Sequence, residues 1–436
     1  MRENLKSALI VLLIVTLLSL TAAIWLYDAP ITWDSTGPLA ATVRALGIVT
    51  PPPETIKLTL ESSHGEAARP SRIVWTQDGV RLGTQYGTPL LDSLYDWLKE
   101  PFRGALGSAG QPVRQPVSAW LDALSDDNIF LDYNTDIPMR TLALWLSSEN
   151  SVLPDAPVHH LAVIIQEDAV FLWFINQNDR MPYRCSTALT VQDIPRTAPD
   201  GLLPCRFGFE DDSFSQTPLV PLFDQRPILP EASFQPVELT LSSTETFLKE
   251  LHINSDSNNS FPNDEGTITY VDDLRTCRIS PWGFIRYSCP PSTSETQGTP
   301  AESLDPLQTA EWIEQSRALL ATLSPLLRDA RFSFSGISVS SENAIVTIAF
   351  DYTLSGLPVR LSGDSAPAVL VFTGGQLTSA TIRVLSFALG DEPVLLMPET
   401  MAYQMLAVQY PDGDFDLRLS YAEQGDGRLV AGWDNH

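Results

Sequence analysis

Basic residues are scarce in this chain. Its 436 residues hold 27 Lys and Arg against 53 Asp and Glu, a net charge of −26. Nucleic-acid binding is driven by basic side chains that neutralise phosphates, so that class of partner is excluded. The same deficit repels an anionic lipid surface and leaves the body of the protein to meet solvent or another protein. Histidine is rarer still: none of His64, His159, His160, His252 and His436 has a nucleophile and base arranged locally around it. A zinc-protease helix motif, a nucleophile elbow, a Walker loop and a dinucleotide fingerprint are all missing. The expectation is no enzyme, no metal and no cofactor.

Cysteine is also sparse. Cys185, Cys205, Cys277 and Cys289 lack metal-ligand spacing, but their even number permits two disulfides in an oxidising compartment. The candidate pairs are Cys277 with Cys289 and Cys185 with Cys205, with free buried thiols as the alternative. Cys277 and Cys289 flank a hairpin around Ser280–Gly283. A two-residue Pro281-Trp282 loop would set position 277 opposite 286, a register that argues against a direct cross-strand bridge.

What is present begins at the N-terminus. Arg2 and Lys6 precede an unbroken apolar run from Ala8 to Leu26, followed by Tyr27, Asp28 and Pro30. At 1.5 Å per residue the run reaches about 29 Å, close to the hydrocarbon thickness of a bilayer. The basic residues before it place the short tail, 1–7, in the cytoplasm and the rest outside, as a single-pass cell-membrane protein. A cleaved signal peptide is the alternative, for which Thr21, Ala22 and Ala23 form a poor cleavage site. Thr16, Ser19 and Ala23 share one helix face, and small or hydroxylated residues let helices approach within lipid. Lipid-facing scatter would produce the same pattern.

With 44% apolar and 18% charged residues, the remainder has the composition of a folded body. Residues 27–53, with Pro30 and Pro51–Pro53, read as a stalk. Three units follow: 54–150, an α+β domain; 151–303, a β-rich domain and linker; and 304–436, a second α+β domain. In the first, Thr88–Leu98 has helical spacing of Leu90, Leu91, Leu94, Trp97 and Leu98. In the second, Leu161–Ile165 and Ala169–Ile175 form a hairpin, and Ser242–Glu245 has capping-box form before a helix. In the third, the turn at Gly374-Gly375 is the strongest hairpin signal of the chain. The predicted fold class is α+β, a single transmembrane helix followed by an extracytoplasmic body with mainly antiparallel sheets.

Three polar groups call for weighing. Asp412, Asp414, Asp416 and Glu423 have the spacing of a calcium loop, but Leu417 stands where that loop requires Gly, and alternation from Phe415 to Tyr421 predicts an edge strand instead. His159 and His160, adjacent on a strand, should point to opposite faces, which predicts a surface strand edge rather than a sensor or metal site. Asp132 and Asp136 resemble paired carboxylates for acid-base work; with no aromatic cleft or partner identifiable from sequence, a turn and a helix cap at Asp136 account for them better.

Several stretches carry a family resemblance. Residues 2–7 with the apolar run and Trp25, then 129–146, 161–189, 267–287, 370–396 and the ending 417–433, are similar to the YycH family of membrane-anchored regulators. The resemblance spans nearly the whole chain through diffuse patterns; where the family pattern has Pro-Ala-Trp this chain has Ala431-Gly432-Trp433, and the four cysteines lie outside it. It implies a non-enzymatic regulator of an essential cell-wall sensor histidine kinase, partnered by a YycI-like protein, with a YycI-like C-terminal domain. On that analogy Thr16, Ser19 and Ala23 are where helix pairing biases the kinase. The competing expectations are an envelope ligand-binding or scaffold protein, marked by an aromatic-lined cleft, and a membrane-anchored hydrolase.

Overall fold

In the computed structural model, residues 64–435 are described except 87, 149, 151, 256–258, 292–304, 341–344, 364–365 and 412–414. The apolar run and its face Thr16, Ser19 and Ala23 lie outside them. Among the described residues, no helix is long and apolar enough to cross a membrane.

The elements of the first half are β1 (Arg72–Gln77), β2 (Val80–Gln85), α1 (Pro89–Ser108), β3 (Val113–Arg114), α2 (Val117–Ala123), β4 (Asn128–Pro138) and α3 (Met139–Trp145). After these come β5 (Pro157–Gln166), β6 (Ala169–Asn176), β7 (Met181–Thr190), β8 (Leu203–Phe207) and β9 (Pro221–Phe223). They make a nine-stranded antiparallel sheet ordered β3-β7-β6-β5-β4-β1-β2-β8-β9. Alternate side chains of the central strands are buried on both sides. Ile73, Leu131, Val163 and Leu172 face one core, whereas Val74, Phe130, Ala162 and Trp173 face another with Trp120 of α2.

Helix α1 shows why sequence spacing falls short at its end. Thr88 caps it, its hydroxyl accepting from the Leu91 N–H at 3.1 Å, and Pro89 takes the first turn, where a missing N–H costs little. The expected end at Leu98 is passed by ten residues. Beyond Pro101 the stripe continues through Phe102, Ala105 and Leu106, all buried, and that burial outweighs the backbone bond the proline removes.

The second half comprises β10 (Pro230–Pro236), α4 (Leu241–Glu250), β11 (Ser260–Pro262), β12 (Ile268–Asp272), β13 (Arg275–Ile279), β14 (Phe284–Ser288) and α5 (Pro306–Ala321). The last elements are β15 (Ala330–Ser340), β16 (Ile345–Leu354), β17 (Leu357–Arg360), β18 (Ala368–Thr373), β19 (Gln376–Arg383), β20 (Leu385–Pro393), α6 (Glu399–Gln409), β21 (Arg418–Glu423) and β22 (Arg428–Asp434). Their sheet runs β11-β12-β13-β14-β19-β18-β16-β17-β21-β22-β10-β20, with β15 pairing β16. The β17–β21 pair is parallel; the rest are antiparallel. The class is therefore α+β with mixed, mostly antiparallel sheets. Strands from 157–223 join the first sheet, and strands from 230–288 join the second.

Local chemistry sets the turns. Glu167 and Asp168 both take positive φ between β5 and β6, as do Gly374 and Gly375 between β18 and β19, matching the twist of two-residue hairpins. The Ser242–Glu245 capping box moves two residues earlier: Thr240 is the cap of α4, exchanging side-chain and backbone bonds with Ser243. The turn after β13 holds three residues, Pro281, Trp282 and Gly283, not two, with Ser280 N–H bonded to Phe284 O at 2.8 Å. Cys277 consequently faces Tyr287 rather than 286.

All four cysteines are unbonded. Cys185 on β7 and Cys205 on β8 are separated by five strands, at about 4.8 Å per step, far beyond the span of a disulfide. Cys289 lies two residues past the partner of Cys277, a diagonal offset of about 7–8 Å that a bridge does not reach. Both proposed pairs are thus replaced by free thiols. Gln376 Nε2 donates to Cys289 Sγ at 3.2 Å, and burial pushes the Cys277 thiol up to about 12.

Candidate functional site

The polar groups that sequence spacing treats separately converge on one buried place. Arg72, Asp132 and His160 are direct neighbours across β1, β4 and β5. They continue the row of Val74, Phe130 and Ala162, so the second core face ends in charge. A bulge on β5 sets His159 and His160 together opposite Ile175, because the register with β6 shifts by one between Val158 and Leu161. Facing it, β4 pushes out Tyr133–Asp136 between the pairs Asp132–His160 and Ile137–Val158. The expected alternation of the two histidines fails at this bulge. Their ring centroids lie 4.7 Å apart and both residues are buried, in a central strand rather than at a surface edge.

Asp132 is completely buried. Its Oδ2 accepts from Arg72 Nε at 2.5 Å, with Arg72 Nη2 also 2.5 Å away. Oδ1 lies 3.3 Å from His159 Nε2 and 3.5 Å from His160 Nε2. On the other side of His159, Nδ1 is 3.2 Å from Asp136 Oδ1. Asp136 is therefore a histidine partner, not the helix cap expected of it, and α3 begins after Pro138 with no side-chain cap.

The C-terminal strand closes the cluster. Arg418 Nη1 donates to the Asn134 carbonyl at 2.6 Å, its Nε and Nη2 donate to Asp416 Oδ2 at 3.0 and 2.5 Å, and Nη2 rests against His159 Nε2. Of the calcium-like group, Asp412 and Asp414 lie outside the described residues. Asp416 turns to Arg418 while Glu423 Oε2 accepts from the Ser362 N–H at 2.7 Å, so these two do not share a centre.

Burial alone would raise the carboxylates, but opposite charge overrides it. Arg72 and the histidines hold Asp132 far below the usual range, and Arg418 with His159 does the same for Asp416. His160 goes the other way: burial, then the neighbouring His159, push it down to about 4 against the pull of Asp132. His160 also stacks on Phe130, ring centroids 5.4 Å apart.

Ligand atoms of Asp132, His159 and His160 lie within 4.8 Å of one another, a spacing a metal ion could use. Two guanidiniums already occupy that surrounding, Arg72 on Asp132 and Arg418 on His159, and they oppose a cation. Nor does the set form an acid–base machine: both nitrogens of His159 face carboxylates, and at 2% exposure the ring offers no approach to a substrate. What the geometry does is clasp β1, β4, β5 and the entry to β21 through paired, desolvated charges. The adjacent histidines and Asp132 were visible in the sequence. Arg72 and Arg418 carried no local signal, being ordinary isolated arginines until the strands align.

No family model matches the sequence, and no curated protein matches it either. Among solved structures, YycH from Bacillus subtilis superposes with a TM-score of 0.53 at 12% identity, over 87% of this chain and 99% of that one. The fold is YycH-like. An uncharacterized protein from Eubacterium rectale ATCC 33656 aligns over 47% of this chain and 75% of its own with a TM-score of 0.29 at 8% identity, too low to bear on the fold.

Proposed function

We propose that this chain is a membrane-anchored, extracytoplasmic regulator that modulates a sensor histidine kinase of cell-wall homeostasis by protein contact, in company with a YycI-like partner. The observation that carries the reading is the YycH-like fold over 87% of the chain. The apolar run Ala8–Leu26, with basic residues before it, supports the anchor and the orientation. The charge cluster supports it indirectly, since its geometry is that of a clasp with no room for turnover.

A contact mechanism needs apolar surface for a partner. Met401, Met405 and Val408 stand on one exposed face of α6, the last 84% exposed, and Leu395 and Met397 precede it, also exposed. Methionine-rich faces repack readily against protein surfaces. Changing Met401 and Met405 to Asp together should abolish co-purification of the kinase or the YycI-like partner from membranes while leaving the unfolding temperature unchanged. Undiminished co-purification of both would contradict contact through this face.

A further inference from the structure

A cleft of about 710 Å3 opens between residues 66–71, the pushed-out stretch of β4, α5 and the start of β15. Four arginines line it: Arg69, Arg317, Arg328 and Arg331. That concentration is unexpected in a chain whose acids outnumber its bases about two to one. Arg69 Nη1 pairs with Asp92 at 2.7 Å, and Arg317 donates twice to Glu314 at 2.8 Å. Among the described residues, Arg328 and Arg331 have neither an ion pair nor a side-chain hydrogen bond, and both are exposed within the cleft.

Two more donors there lack acceptors. Arg69 Nε and Tyr133 Oη lie beneath its surface without a hydrogen-bond acceptor among the described residues, a costly condition. The acidic lining does not supply one. Asp92 is taken by Arg69, Asp329 Oδ2 accepts from the Leu389 N–H at 3.0 Å, and Glu66 is exposed. Although its side chain reaches solvent, the protein packed closely around the Arg331 guanidinium, and then the charge of Arg69, pull it below its ordinary range, with Glu66 and Asp92 offsetting only part of it. Two guanidiniums that disfavour each other are the usual surroundings of an anion.

We propose that this cleft binds a metabolite-sized ligand through an oxyanion, a carboxylate or a phosphate, held by Arg331 and Arg69 with Arg328 as the outer contact. Its volume suits such a ligand, and guanidinium forks match both groups. The proposal stands apart from the kinase reading; a ligand site can exist whatever partner the chain contacts.

The test uses the purified full chain at low salt, titrated calorimetrically with N-acetylglutamate in one arm and glycerol 1-phosphate in the other. Saturation by at least one below about 1 mM is expected, and the arm that binds names the oxyanion. Arg331→Gln should weaken it about tenfold or more. Arg428→Gln, whose side chain pairs with Glu231 away from the cleft, should leave it unchanged. If Arg331→Gln fails to fold, the exposed Arg328→Gln serves in its place, with at least threefold weakening expected, roughly the lower range for one charged hydrogen bond lost at an open site. Failure of both probes to saturate by about 10 mM, or binding equal to wild type in the arginine variants, would overturn the proposal.

Discussion

His159 and His160, consecutive in the chain, both present Nε2 to the same Oδ1 of Asp132, at 3.3 and 3.5 Å. Neighbours on a regular strand cannot do this, and the β5 bulge is what makes it possible. Around that carboxylate the fold gathers charge from positions as far apart as Arg72 and Arg418. The cluster is therefore a tertiary feature whose loss should be felt throughout both strands sets it joins.

Removing its central anion should be costly. Asp132→Asn leaves Arg72, 3% exposed, without its counter-ion, and an unpaired buried charge costs about 3–5 kcal/mol. Replacing the pair together, Arg72→Met with Asp132→Leu, should cost less than the two single changes summed. Urea unfolding of the four proteins gives the cycle directly.

Acid should weaken the fold through His160. Its pKa is pushed down to about 4 in the folded state from an ordinary value near 6.5, so between those pH values the unfolded chain binds more protons. The contribution is complete above pH 6.5 and is lost as pH falls toward 4, by about 3 kcal/mol in all. Asp132 and Asp416, also depressed, add their loss only below the usual carboxylate range. Unfolding free energies at pH 7, 6 and 5 should decline in the wild type and flatten in His160→Gln.

The thiol state is directly countable. Under denaturing, non-reducing conditions a thiol reagent should label Cys185, Cys205, Cys277 and Cys289 alike, and reductant should not shift the unfolding temperature. In the native protein Cys185, Cys277 and Cys289 should resist labelling because they are buried. Two protected pairs in the denatured chain would refute the register described for β13 and β14.

Gly283 closes the three-residue turn with φ of +85°, and a Cβ added there would overlap the Val384 carbonyl oxygen. Gly283→Ala should lose about 2 kcal/mol or more, combining conformational strain with displacement of a backbone. Gly266→Ala, with φ of +80° but ordinary contact at 3.4 Å to Pro281, should lose about 1 kcal/mol. Thermal unfolding separates the two.

Much of the secondary structure is legible from residues alone. The Glu167-Asp168 and Gly374-Gly375 turns, the Thr88-capped helix and the strands beside them follow from spacing and turn chemistry, which act locally. The site is not legible in that way. One extra residue in β5 reverses the facing of His159, and a third residue in the Pro281–Gly283 turn moves Cys277 by one register, changes that depend on how neighbouring strands pair. Arg72 and Arg418 acquire meaning only once β1, β4 and β21 are assembled.

The proposed contact with a kinase makes the apolar N-terminal run part of the working surface. The most direct measurement is photo-crosslinking in living cells from positions 16, 19 and 23, the places of Thr16, Ser19 and Ala23, with the captured proteins identified by mass spectrometry. A membrane sensor histidine kinase should be captured, with a YycI-like protein beside it. Recovery of only secretion machinery or signal peptidase would contradict it.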